Sequence, residues 1–164
     1  MRLFIATPVT IPIYSAIKND LSKYIEGKWV EGWNLHLTHK FIGEDEPEKY
    51  KIPLTIPDEK IKIKGIGMFN NKILYLKAES KNIQSINSQF NKHFNMENEK
   101  PFTPHITLCR IKDIKDKKFF DELKKWESKT FEIPYKVYLY KSTLTKKGPV
   151  YEKIYEYKSG GSKI

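Results

Sequence analysis

The sequence predicts a bilobal α+β domain. Its 164 residues, 39% apolar and 13% aromatic, supply one sizeable hydrophobic core but not two independent ones. Segments of two-residue hydrophobic period are interleaved with segments of helical period. Their order is strand, helix, strand, two strands, helix, strand, helix, two strands. It reads as one unit used twice, each half contributing a helix and a strand that carries His-x-Thr. The domain is expected to span residues 1–158, with 159–164 (Ser-Gly-Gly-Ser-Lys-Ile) too poor in apolar residues to order itself.

The first strand is the apolar run Arg2 to Val9. Thr10 is a possible cap and Pro12 a first helical residue for a helix with Ile13, Ile17, Leu21 and Tyr24 on one face. Trp33 to Ile42 alternates Leu35, Leu37 and Phe41 on one side with His36, Thr38 and Lys40 on the other, the period of a half-buried strand. Gly43 ends it. Prolines 47, 53 and 57 leave 44–58 as a loop with at most a helical turn. Lys60–Phe69 and Ile73–Glu79 form a hairpin around Asn70-Asn71, because asparagine tolerates positive φ. Asn82 can cap a helix carrying Ile83, Ile86, Phe90 and Phe94. Phe102–Ile111 is a strand, and Phe119, Phe120, Leu123 and Trp126 mark a helix. Phe131–Leu144 and Val150–Tyr157 are closing strands around the break at Gly148-Pro149.

Thirty basic against twenty acidic residues give a formal charge of +10, a field that favours an anionic partner. Arg2 and Arg110 are the two arginines and lysine supplies the rest, so compositional drift explains the charge as well as nucleic-acid binding does. A single cysteine, Cys109, excludes an intramolecular disulfide and a cysteine-based metal cluster and suits a reducing cytosol. The apolar opening is read as a strand and not a signal peptide, since Pro8 and Pro12 interrupt it. Nowhere do about twenty apolar residues run together, so no membrane helix is expected. A cytoplasmic monomer is the expectation.

His36-Leu37-Thr38 and His105-Ile106-Thr107 bear the chemistry. In a strand, residues i and i+2 share a face, so each imidazole stands beside a hydroxyl. Two of four histidines would match this pattern by accident in about one sequence in fifty. Imidazole titrates near neutrality and can both take and give a proton, each service being worth about 10²–10⁴ in rate. Opening a cyclic phosphodiester needs both, with the threonine hydroxyls donating to non-bridging oxygens and no metal or other cofactor required.

The two segments His36-Leu-Thr-His-Lys-Phe-Ile-Gly43 and Phe102-Thr-Pro-His-Ile-Thr-Leu-Cys-Arg110 resemble the paired motifs of the 2H phosphoesterase superfamily, in its RNA 2',3'-cyclic phosphodiesterase (2'-5' RNA ligase-like) branch. The start Arg2-Leu-Phe-Ile-Ala6 and the closing pair Tyr140–Leu144 and Gly148–Tyr151 are similar too. The resemblance implies a pseudo-two-fold arrangement of two antiparallel sheets, helices on their outer faces, and a central cleft lined by both His-x-Thr strands. It implies opening of an RNA-terminal 2',3'-cyclic phosphate, or of a cyclic nucleotide, to a 2'-phosphate, with 2',5' ligation as a reverse reaction. His36 and His105 are then acid and base, with His36 preferred as the acid, and Thr38 and Thr107 hold the phosphate.

Arg110 is a phosphate-binding candidate because its fork can engage two oxygens. Strict alternation points it away from His105, so contact requires a bulge; otherwise it is a surface ion pair. His39 stands where the family is usually apolar and is read as a packed, hydrogen-bonded residue. Residues three apart on a strand face opposite ways, which argues against a metal shared by His36 and His39. His93 is expected at the edge of the core. Phe41, Tyr140 and Tyr151 are expected to pack there as well, although each could stack on a base. A non-catalytic RNA binder on the same fold, or a phosphodiesterase for 2',5'-oligonucleotides or ADP-ribose cyclic phosphate, are the alternatives.

Overall fold

Alternation dominates the chain's apolar pattern, and nine strands result among the described residues. The computed structural model describes residues 1–158. In order these are β1 (Arg2–Pro8), α1 (Tyr14–Leu21), β2 (Ile25–Trp29), β3 (His36–Glu44), β4 (Lys60–Phe69), β5 (Ile73–Glu79), α2 (Ser85–Phe94), β6 (His105–Ile114), α3 (Lys118–Trp126), β7 (Thr130–Pro134), β8 (Val137–Thr145) and β9 (Gly148–Tyr157), with 3₁₀ turns at Gly32–Asn34 and Pro47–Tyr50. The strands pair antiparallel in the order β7-β4-β5-β6-β3-β1-β8-β9, and β2 adds to β6 beyond the end of β3.

The architecture is α+β with two halves, β7-β4-β5-β6-β2 and β3-β1-β8-β9. The two expected sheets are hydrogen-bonded into one, because β3 and β6 meet at the pair Leu37↔Ile106. One face of this sheet carries the core. Leu3, Ile5, Leu37, Ile106 and Leu108 are completely buried there with Ile86, Phe90 and Phe119 from the helices. Burying such side chains contributes roughly 1.5–3 kcal/mol each, which holds the helices on that face. The opposite face carries the His-x-Thr side chains and a smaller buried cluster of Phe4, Ala6 and Tyr140. A polar tie joins α1 to α3, where the Trp126 indole donates to Asp20 Oδ2 at 2.9 Å.

Three local expectations are corrected. Strand β2 was not anticipated, since in Ile-Glu-Gly-Lys-Trp only Ile25 is buried and no alternation shows. The expected strand Phe131–Leu144 is two strands. Pro134, with no N–H to give, ends β7 at its pairing with Lys60, and the chain crosses to the other half to begin β8. Neither Thr10 nor Asn82 caps a helix: α1 and α2 start without a side-chain cap bond, and Asn82 instead donates through its backbone and side-chain N–H groups to the Glu59 carboxylate at 2.9 and 2.7 Å. The Asn70-Asn71 turn is as expected, with φ of 50° and 56°.

Candidate active site

The pair Leu37↔Ile106 consists of the middle residues of the two His-x-Thr tripeptides. Both are completely buried and point into the core, so their neighbours project from the other face. Because the strands are antiparallel, His36 lies on the Thr107 side of the bridge and Thr38 on the His105 side. A local two-fold relation follows, with one histidine and one threonine at each end of the bridge. Thr38 and Thr107 are both half-buried on the face of their histidines.

Each imidazole is anchored in the same way. His36 Nδ1 donates to the carbonyl of Asn34, two residues earlier, at 2.7 Å, and His105 Nδ1 donates to the carbonyl of Thr103, again two residues earlier, at 2.7 Å. A carbonyl can only accept, so Nδ1 holds a proton and Nε2 is left to exchange one with a bound molecule. Burial pushes the His36 pKa below the ordinary imidazole value, the Asn34 carbonyl raises it, and the charge of His105 lowers it again. That last influence registers the two rings acting on each other across the cleft. Matching aromatics brace them. The His36 ring lies 5.2 Å from Phe4 and 5.0 Å from Tyr151, and the His105 ring 5.2 Å from Phe69 and 5.7 Å from Tyr75.

Two bulges decide what else faces the cleft. In β6, Leu74 pairs with Cys109 but Tyr75 with Thr107, which leaves Leu108 as the extra residue. Leu108 and Cys109 are consequently both buried, the alternation reverses, and Arg110 emerges exposed on the side of His105 and Thr107. Burial pushes the Tyr151 phenol above its usual value, and the charges of Arg110 and Arg2 pull it back. Both arginines of the chain therefore act on the phenol that abuts His36. In β3, Ile5 pairs with Lys40 but Ala6 with Thr38, so His39 is the extra residue. His39 and Lys40 both turn inward, and Phe41 turns out.

Phe41 was expected in the core and is instead 64% exposed, its ring 6.0 Å from Phe4. Lys40 was expected beside His36 and Thr38 but is buried, with its ammonium donating to Asn98 Oδ1 at 2.9 Å. Tyr140 packs as expected, stacked on Phe4 at 5.2 Å. His39 is packed and hydrogen-bonded, its Nε2 2.7 Å from the Thr7 hydroxyl and its ring stacked 5.7 Å from Tyr135. Its Nδ1 has no partner among the described residues, and burial lowers its pKa to about 3. His93 is exposed, edge-on to Phe94 at 4.8 Å. Among the described residues no three His, Cys, Asp or Glu side chains gather as a metal site, and no helix is long and apolar enough to cross a membrane.

Sequence reasoning did not single out Arg2, whose charge acts on Tyr151 together with that of Arg110, nor the carbonyls of Asn34 and Thr103. Arg2 shares its strand face with Phe4 and was visible by the same rarity of arginine that singled out Arg110. The carbonyl anchors had no side-chain signature to find.

A family profile described as "AKAP7 2'5' RNA ligase-like domain" matches residues 50–146, more than half of the chain, including His105-Ile106-Thr107. Over a longer span the chain is similar to the RNA 2',3'-cyclic phosphodiesterase of Methanocaldococcus jannaschii, at 37% identity covering 96% of this chain and 100% of that protein. It shares its fold with the crystal structure of TT0787 of Thermus thermophilus, at a TM-score of 0.69 and 24% identity over 96% of this chain and 97% of that one. The crystal structure of E. coli LigT complexed with 3'-AMP is also similar, at a TM-score of 0.66 and 20% identity over 95% and 96% of the two chains.

Proposed function

Because this chain belongs to the 2'-5' RNA ligase-like family of 2H phosphoesterases, we propose that it opens a 2',3'-cyclic phosphate at an RNA end to a 2'-phosphate. The observation that supports the reading is the Leu37↔Ile106 bridge, with an identically anchored imidazole on either side of it. One Nε2 takes a proton from water as the oxygen attacks phosphorus. The other imidazole, protonated, gives its proton to O3' as the P–O3' bond breaks, and the phosphate stays on O2'. Each transfer contributes about 10²–10⁴ in rate.

Negative charge gathers on the non-bridging oxygens during attack. Thr38 and Thr107 donate hydroxyl hydrogen bonds to them, and the Arg110 fork adds a charge-assisted contact. The lowered pKa of His36 shifts its ring toward the neutral form relative to a free imidazole, which favours it as the proton acceptor; this is the opposite order from the one preferred on sequence. An RNA 5'-hydroxyl in place of water would make a 2',5' junction through the same transfers. RNA ends and cyclic nucleotides are the substrates this chemistry recognises, and the 3'-AMP complex of LigT on this fold supports a nucleotide ligand.

The test is a synthetic RNA with a 2',3'-cyclic phosphate end, incubated with the protein in EDTA and scored for 2'- against 3'-phosphate product. We expect the 2'-phosphate, and loss of turnover in His36→Ala and in His105→Ala with unchanged circular dichroism. Retained turnover in both variants removes the mechanism. Salt-sensitive RNA binding without turnover on any cyclic phosphate identifies a binder instead.

A further inference from the structure

A cavity of about 870 Å³ is lined by His36 but not by His105. Its walls are the turn bearing Trp33 and Asn34 and, opposite, the β8–β9 hairpin with Thr143, Val150 and Lys153. Its volume lies near the top of the roughly 300–1,000 Å³ range of ligand pockets, room for more than a terminal nucleoside.

Trp33 is 82% exposed at this cavity. Its ring offers a large uncovered aromatic surface on which a ligand can stack. The other two tryptophans are half-buried, Trp29 against Tyr14 at 6.4 Å and Trp126 bonded to Asp20, whereas among the described residues no ring stacks on Trp33. Nor is its position loose. Asn34, only 7% exposed, donates its side-chain amide to the Pro149 carbonyl at 2.9 Å and accepts the His36 Nδ1 proton on its own carbonyl. One residue thus ties the turn carrying Trp33 to the hairpin and to the imidazole, so the backbone that bears the indole is held at a set offset from His36.

Accepting the cyclic phosphodiesterase reading on which this rests, we propose that the cavity is a subsite for the nucleotide preceding the cyclic-phosphate terminus, its base stacked on Trp33. An RNA strand ending at His36 must leave the site on the 5' side, and this cavity begins at that ring. Stacking on an aromatic face serves any base, so the subsite confers preference for an RNA strand over a mononucleotide without sequence preference. At the opposite wall Lys153, its ammonium 4.3 Å over the Tyr138 ring, supplies a positive charge for the intervening phosphodiester.

The experiment compares kcat/KM on a 2',3'-cyclic mononucleotide with kcat/KM on a trinucleotide ending in the same cyclic phosphate. The wild-type protein is expected to favour the trinucleotide by about tenfold or more. Trp33→Ala abolishes that preference and leaves the mononucleotide rate unchanged, and Trp33→Phe retains part of it. Binding of the 2'-phosphorylated trinucleotide product quenches tryptophan fluorescence, and the quench is lost in Trp33→Phe. Equal wild-type kcat/KM on the two substrates, or an equal loss on both in Trp33→Ala, overturns the subsite while leaving the reaction intact. No turnover on either substrate by the wild-type protein sinks the reaction assignment itself.

Discussion

Leu37 and Ile106, one from each half of the sheet and both without solvent exposure, pair across β3 and β6 at the one position where the halves share a strand ladder. Their burial turns the flanking histidines and threonines outward, and their antiparallel sense sets each histidine at the end of the bridge where the other strand carries its threonine. Beyond this pair β3 and β6 no longer share a ladder, and β2 takes over the edge of β6.

If both rings serve one phosphorus, their contributions do not add. His36→Ala and His105→Ala should each lower kcat about 10²–10⁴-fold, and the double variant should fall little further than the worse single one. Single-turnover rates on a cyclic-phosphate RNA measure this, and losses that multiply would show the two acting independently.

Arg110 reaches the cleft face only through the bulge at Leu108. Lysine keeps the charge but not the fork, so Arg110→Lys should raise KM about tenfold with a smaller change in kcat. Steady-state kinetics decide it, and a lysine variant indistinguishable from wild type would reduce Arg110 to a point charge.

His39 governs stability in acid. Burial lowers its folded pKa to about 3, while the unfolded chain takes up a proton near the ordinary imidazole value of about 6.5. As pH falls through that window the unfolded state gains a proton that the folded state refuses, so stability present above it is lost at up to about 1.4 kcal/mol per pH unit from this group alone. Urea unfolding of wild type and His39→Gln at several pH values tests the sign: the variant should show a shallower decline, whatever its plateau.

Gly27 lets β2 close on β6. A Cβ there would lie 2.5 Å from the Arg110 carbonyl oxygen and 2.8 Å from Cys109 Sγ, neither of them a flexible tip. Gly27→Ala should destabilise the fold by about 1–3 kcal/mol and disturb the strand that presents Arg110. A lower urea midpoint with a raised KM is the expected pair of readouts.

The histidines and threonines were legible because i and i+2 share a face of any strand, a rule that needs no partner. Most strand and helix positions followed from hydrophobic period in the same way. Strand β2 was invisible because its pairing with β6, and not its own apolar pattern, makes it a strand. Phe41 and Lys40 exchanged faces, and Arg110 gained the cleft face, because an extra residue in a ladder reverses alternation, and a bulge belongs to a pair of strands.

By itself, then, the chain's order of residues determined the elements, the α+β class and the two tripeptides that carry the chemistry, all properties of neighbours in sequence. Only the tertiary structure decided that Leu37 meets Ile106 and that Trp33 stands open on a turn tied to the β8–β9 hairpin. Those depend on contacts between residues far apart in the chain, Leu37 with Ile106 and Asn34 with Pro149 among them, whose register is selected by burying one face of the whole sheet at once.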